Sequence, residues 1–151
     1  MNRLTLLAAV VSFTAMNATA ATAATAATAG PTEYELHTAQ CVAALKANTE
    51  DLAVQVKGGR TDLQPLLLMQ LKYGAAFIGD SYLQGERNEV GARALLNAAL
   101  EAQKVLPASE LAARQSDCAT EGAQLLTKAN YFGRAVVSRF AEKRMKKLLE
   151  G

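Results

Sequence analysis

Apolar side chains recur every three or four residues after residue 31, which is the spacing of one face of an α-helix. A Thr32-x-x-Glu35 capping box predicts the start of the first helix, and Gly58-Gly59 predicts its end near residue 57. No segment alternates apolar and polar residues in period two, so the pattern predicts an all-α fold. The first helix directs one stripe toward a core: Tyr34, Thr38, Cys41, Leu45, Asn48, Leu52 and Val56.

Three further helices follow in the pattern. The second begins near Pro65, after a Thr61-x-x-Gln64 capping box, and its almost wholly apolar segment 66–78 predicts the most buried helix of the domain. The third covers residues 88–106. The fourth, capped by Ser109, keeps its apolar spacing through Leu148 and is predicted as one long helix of roughly forty residues or more. Together they predict a small antiparallel bundle of about four helices with a long C-terminal helix.

The N-terminus has the composition of a secretory signal peptide over residues 1–20. Arg3 supplies a positive charge, residues 4–13 are apolar, and Ala18-Thr19-Ala20 provides a cleavage motif, although cleavage as late as Ala29 fits the same rule. The apolar run is shorter than the roughly twenty residues that cross a bilayer, so no transmembrane anchor is expected after processing. We therefore expect a periplasmic or secreted protein with a flexible Ala/Thr-rich leader over residues 21–31 and one helical domain over 32–151.

The sequence contains two cysteines, Cys41 and Cys118. In an exported protein such a pair predicts a disulfide, and an up-down-up-down bundle places the two residues at the same level. Closing this loop removes roughly 4.5 kcal/mol of unfolded-chain entropy. If each residue of a straight helix in that bundle advances about 1.5 Å, the residues after Leu126 are predicted to extend beyond the start of the first helix.

The sequence contains no motif typical of a catalytic or cofactor-binding site. His37 is the single histidine, and one histidine with two disulfide-bonded cysteines does not complete a zinc or haem site. The G-x-S-x-G nucleophile motif and the phosphate-binding P-loop are both missing from the sequence. We therefore expect no catalytic, cofactor-binding or metal-binding residues, and a protein that is not an enzyme.

Charge is sorted along the chain. Residues 21–127 carry a net charge of −4 and residues 128–151 a net charge of +5. An apolar stripe within this basic end predicts contact with another protein or a second copy of the chain; the alternatives are burial against this chain after a bend near Gly122 or Gly133 and contact with an anionic membrane surface. Nucleic acid is not expected as a partner outside the cytoplasm. The candidate contact residues are Phe132, Arg134, Val136, Val137, Arg139, Phe140, Lys143 and Arg144.

One stretch resembles a tetratricopeptide or Sel1-type repeat. It consists of Gly79-x-x-Tyr82-x-x-Gly85 followed by Ala92, Leu96, Ala99 and Leu100, and it occurs once. The resemblance implies a helical hairpin and an adaptor role. The sequence thus predicts a non-enzymatic module that binds a protein or itself through the apolar second helix or the basic C-terminal helix. A repeat-like adaptor and a small-molecule carrier with a cavity in the bundle are the alternatives.

Overall fold

The computed structural model describes residues 30–85 and 88–151, which form five α-helices and no strand within those ranges. The all-α prediction is therefore confirmed. The expected signal peptide, its cleavage sites and residues 21–29 of the leader lie outside the described residues. The helices are α1 Glu33–Lys57, α2 Gln64–Leu83, α3 Glu89–Gln103, α4 Ala108–Lys128 and α5 Tyr131–Glu150, with a short 3₁₀ turn at Thr61–Leu63 before α2.

An antiparallel pair, α1 and α2, forms the centre of the domain. Near one end Cys41 and Leu45 pack against Phe77, and near the other end Leu52 packs against Leu67. The predicted capping box fixes the start of α1, because the Thr32 side chain accepts a hydrogen bond from the Glu35 amide and the Glu35 carboxylate accepts one from the Thr32 amide.

The most buried helix is α1, and the prediction that the second helix would be is wrong. Each of the other four helices packs against α1, whereas α2 packs chiefly against α1, α4 and α5. Small residues allow this close approach: Ala39 and Ala43 are buried against Ala99 of α3. Large apolar side chains are nevertheless exposed along α2, among them Leu66, Met69, Ile78, Tyr82 and Leu83.

Two of the predicted helix starts differ in detail. Thr61 does not cap α2; it begins the 3₁₀ turn, where the Arg60 guanidinium donates two hydrogen bonds to Asp62. Those hydrogen bonds lower the pKa of Asp62 and raise that of Arg60. Helix α4 begins one residue before Ser109, and no side chain caps it because Pro107 occupies the N-cap position.

The predicted long C-terminal helix is two helices. At Ala129 the backbone becomes extended, and the Asn130 side chain caps α5 by accepting a hydrogen bond of 2.7 Å from the Gly133 amide. The Arg134 guanidinium donates to the Ala129 carbonyl across this turn. As a result the chain reverses and does not overhang: α5 packs against α2 and α1, with its C-terminal residues Met145, Leu148 and Leu149 on the cluster of Leu52, Ala53, Val56 and Leu67.

The predicted disulfide between Cys41 and Cys118 is present and joins α1 to α4. Both cysteines are buried, and their Cα atoms lie 5.2 Å apart. Close packing of α4 on α2 supports the same arrangement, because Gly122 meets the backbone and Cβ of Tyr73 without room for a side chain of its own.

Candidate functional site

The outward face of α5 carries an apolar strip. Phe132, Val136 and Phe140 follow one another at intervals of four residues, and their exposed fractions are 75%, 52% and 54%. Tyr131, at the start of the helix, is also exposed. Three large side chains exposed in one row on a helix form a surface that is costly to leave in water.

The packing face of α5 lies on the opposite side of the helix. Val137 and Ala141 are buried there, and Met145 and Leu148 continue the same row onto the core. Among the candidate contact residues, Val137 therefore belongs to the packing face. Arg134 is turned toward the Ala129 carbonyl.

Cations accompany the outward strip toward the C-terminus of α5. Arg139 and Lys143 are exposed on the same side as Val136 and Phe140, and neither forms an ion pair with a residue that the structure describes. Lys146 lies one turn from Glu150, with 3.7 Å between their charged atoms, while Arg144 is half-buried. Lys147, in the last turn of α5, opposes the negative pole of the helix dipole, which stabilises its charge in the absence of a partner. The structure thus brings together Phe132, Val136, Arg139, Phe140 and Lys143 as one surface, called here the α5 face.

A second feature is a groove of about 840 Å³ between the start of α1, the end of α2 and α3. It exists because α3 packs closely against α1 and less closely against α2. Its walls are mostly apolar and include Val42, Ile78, Leu95 and Leu96. Thr38 also lines the groove; it is 8% exposed, and its Oγ1 has no hydrogen-bond partner among the described residues.

Four residues of the repeat-like stretch border this groove: Tyr82, Gly85, Ala92 and Leu96. Tyr82 is 86% exposed, and Ala92 lies on the wall opposite α2. In a repeat hairpin the second helix packs on the first. Here α3 packs on α1, with Ala99 buried against Ala39 and Ala43.

A third feature surrounds the disulfide, where α1 lies against α4. His37 and Glu121 flank the two cysteines, with 2.7 Å between His37 Nε2 and Glu121 Oε2. The same nitrogen is 3.8 Å from Cys41 Sγ, and the imidazole meets the ring of Phe77 edge to face, with 6.4 Å between ring centroids. Glu121 was not among the residues singled out from the sequence, because it is 84 residues from His37.

No protein-family model, curated protein or solved structure matches this chain. Among the described residues, no helix is both long enough and apolar enough to cross a membrane.

Proposed function

We propose that this protein is an exported, non-enzymatic helical module that binds an acidic partner protein through the α5 face. The observation that carries the proposal is the exposure of Phe132, Val136 and Phe140 beside Arg139 and Lys143. Interfaces gain most of their energy from buried aromatic anchors, while surrounding cations select partners of opposite charge. The signal-like N-terminus and the disulfide both favour an oxidising compartment outside the cytoplasm.

The charge of the chain favours a separate partner over symmetric pairing of two α5 helices. Within Tyr131–Glu150 there are six lysine or arginine residues and two glutamates. A symmetric dimer would place these basic surfaces against each other, and like charges in an interface are unfavourable. An acidic surface with apolar pockets would instead match both the charge and the aromatic side chains.

A photo-crosslinking amino acid at position 136 tests the proposal in the cells that produce the protein. The matched control places the same crosslinker at exposed Ala94 on α3, outside both the α5 face and the groove. We expect a protein adduct from position 136 that is missing from position 94. The adduct should also disappear when Arg139→Glu and Lys143→Glu are introduced together, because they reverse the charge without disturbing buried residues.

Two crosslinking results would contradict binding through the α5 face. Equal adducts from positions 136 and 94, or an adduct that survives the double charge reversal, would show that the α5 face does not select a partner. An adduct with a second copy of the chain would indicate self-association in place of a separate partner protein. An adduct with lipid would indicate membrane contact. Thermal melting of each variant should match the parent, since exposed substitutions change stability by about 0.5 kcal/mol or less.

The groove supports a second candidate function, that of a small-molecule carrier. Its volume and apolar walls suit a small amphipathic molecule, and a polar group of such a molecule would supply the partner that Thr38 Oγ1 lacks. Titration with the dye anilinonaphthalene sulfonate tests this. We expect fluorescence that saturates at one dye per chain and is lost in Ala92→Phe, which fills the groove, but kept in the control Ala94→Phe. Equal fluorescence from both variants would remove the carrier interpretation.

A further inference from the structure

Four side chains with metal-binding atoms meet at the contact between α1 and α4. His37 and Cys41 are one turn apart on α1, and Cys118 and Glu121 are one turn apart on α4. The ligand atoms of His37, Cys41 and Glu121 all lie within 4.8 Å of one another, and Cys118 is bonded to Cys41. The two helices therefore direct two sulfur, one nitrogen and one oxygen donor toward one small volume.

In the disulfide state this donor set is incomplete, because sulfur atoms bonded to each other are not thiolates. Reduction changes that. A dithiol reductant transfers two electrons and two protons to the bond between Cys41 and Cys118, giving two thiols, and is itself oxidised to a disulfide. A divalent metal ion can then displace the two thiol protons and bind both sulfurs as thiolates.

We propose that the reduced protein binds one Zn²⁺ ion through Cys41, Cys118, His37 and Glu121. Two thiolates, one imidazole and one carboxylate are ligands that zinc accepts in a four-coordinate tetrahedral site. The disulfide and the metal ion are then alternative links across the same pair of helices. A disulfide oxidant takes two electrons from the two thiolates and is itself reduced to two thiols with two protons from solvent. The Cys41–Cys118 bond re-forms, and the Zn²⁺ ion is released unchanged.

The helical spacing fits such a site. Pairs of ligands three or four residues apart on facing helices are the usual way in which a bundle holds a metal ion. The cysteine Cα atoms are 5.2 Å apart, so both thiolates can turn toward one ion at the usual Zn–S distance of about 2.3 Å. His37 Nε2 already faces both Glu121 Oε2 and Cys41 Sγ, so the ring needs no reorientation to become a ligand.

The four ligand side chains differ in burial, which indicates the side from which the ion would enter. The cysteines are almost fully buried, whereas the side chains of His37 and Glu121 are 49% and 40% exposed. The histidine and the carboxylate thus form the solvent side of the site, and the thiolates its buried side. A bound ion would stabilise the reduced protein and would leave the oxidised protein unchanged, because only the reduced protein has all four ligands.

Cobalt provides a direct readout, since Co²⁺ bound to thiolates in tetrahedral geometry has characteristic charge-transfer and d–d absorption bands. The protein as purified from the producing cells is reduced with a dithiol, freed of reductant without oxygen, and titrated with Co²⁺ and then Zn²⁺. We expect thiolate–Co²⁺ bands that saturate at one ion per chain and are lost on adding Zn²⁺. The oxidised protein is the control and should show no such bands.

Single substitutions separate this site from nonspecific binding to two thiols. His37→Ala and Glu121→Gln should each weaken the affinity of the reduced protein for Zn²⁺ by more than about tenfold. Neither change removes a sulfur, so both variants should still form the disulfide when oxidised. Ser116→Ala, an exposed change on α4 away from the donor atoms, should leave the affinity unchanged.

Several results would overturn the proposal. One is a reduced protein that shows no thiolate–Co²⁺ bands. A second is an affinity for Zn²⁺ that is the same in His37→Ala, Glu121→Gln and the parent chain. If reduction alone lowers the helical content, Zn²⁺ should restore it, and failure to do so counts against the site. A rise in melting temperature with Zn²⁺ that is equal in oxidised and reduced protein would place the ion elsewhere.

Discussion

Replacing Gly122 by alanine should destabilise the protein, even though alanine is normally the better helix residue. A Cβ atom at position 122 would lie 2.7 Å from Tyr73 Cβ, 3.1 Å from Tyr73 Cα and 3.2 Å from the Tyr73 carbonyl oxygen. Carbon atoms pack best at about 3.5–4.0 Å, so α4 must move away from α2 by close to 1 Å. Two of the three contacts involve backbone atoms, which cannot turn aside as a flexible side chain can.

The expected change in the free energy of unfolding of Gly122→Ala is the sum of two opposing effects. Alanine stabilises a helix interior by about 1 kcal/mol relative to glycine, whereas overpacking in a closely packed contact costs about 1–3 kcal/mol. The 2.7 Å approach to Tyr73 places the overpacking cost in the upper part of that range, at about 2–3 kcal/mol, so we expect Gly122→Ala to lower the free energy of unfolding by about 1–2 kcal/mol. Gly79→Ala is the matched control: Gly79 also lies inside a helix, but its added Cβ would meet nothing within 4 Å. That variant should gain about 0.5–1 kcal/mol.

Urea unfolding followed by circular dichroism measures both variants on the same scale. The midpoints should move in opposite directions while the slope of the transition stays constant, because the change is in native packing and not in exposed surface. A Gly122→Ala variant that is stabilised as much as Gly79→Ala would refute the close contact between α4 and α2. The position of Cys118 and Glu121 relative to α1 would then be in doubt as well.

Three other predictions concern the disulfide and the C-terminal hairpin. Replacing Cys41 and Cys118 together by alanine should lower the free energy of unfolding by up to about 4.5 kcal/mol while the circular dichroism spectrum stays helical, since the buried stripes remain; loss of helix would contradict this. Ending the chain after Lys128 should lower the melting temperature sharply because Leu52, Val56 and Leu67 lose their cover, and an unchanged melting temperature would mean that α5 does not pack there. Asn130→Ala should cost about 1 kcal/mol of stability through loss of the N-cap, whereas Asn97→Ala, at an exposed position inside α3, should cost nothing.

The sequence predicted the helical class, the first helix and the disulfide because each depends on local spacing or on cysteine count. It failed at Ala129–Asn130, where apolar residues keep the three-and-four spacing through Phe132 and Phe140 across the break. The spacing of apolar residues along the sequence is the same whether the helix continues or the chain turns, so it cannot reveal the turn between α4 and α5. A local signal was available: Asn130 is an N-cap residue type, and it follows directly after the end of α4.

Two other features could not be derived from the sequence, for a different reason. They are the identity of the most buried helix and the meeting of His37 and Glu121 beside the disulfide. Segment 66–78 is the most apolar, but how much of a helix is covered depends on how many neighbours it has, and α1 has more of them. Likewise, the spacing from His37 to Cys41 and from Cys118 to Glu121 is visible in the sequence. Their convergence depends on the way α1 and α4 pack, which spacing within one helix does not encode.

The disulfide also determines how a pulling force would pass through the protein. Tension applied between Gly30 and Gly151 would run along α1 as far as Cys41, cross the covalent bond to Cys118 and continue through the rest of α4 into α5. The backbone between the two cysteines, with all of α2 and α3, lies off this covalent path. Helix α5 lies outside the cross-link and is held to the core by noncovalent contacts, so it can peel away from Leu149 and Leu148 inward while the disulfide stays intact. A protein tethered by its C-terminus would thus yield at α5 while its cross-linked part stayed folded.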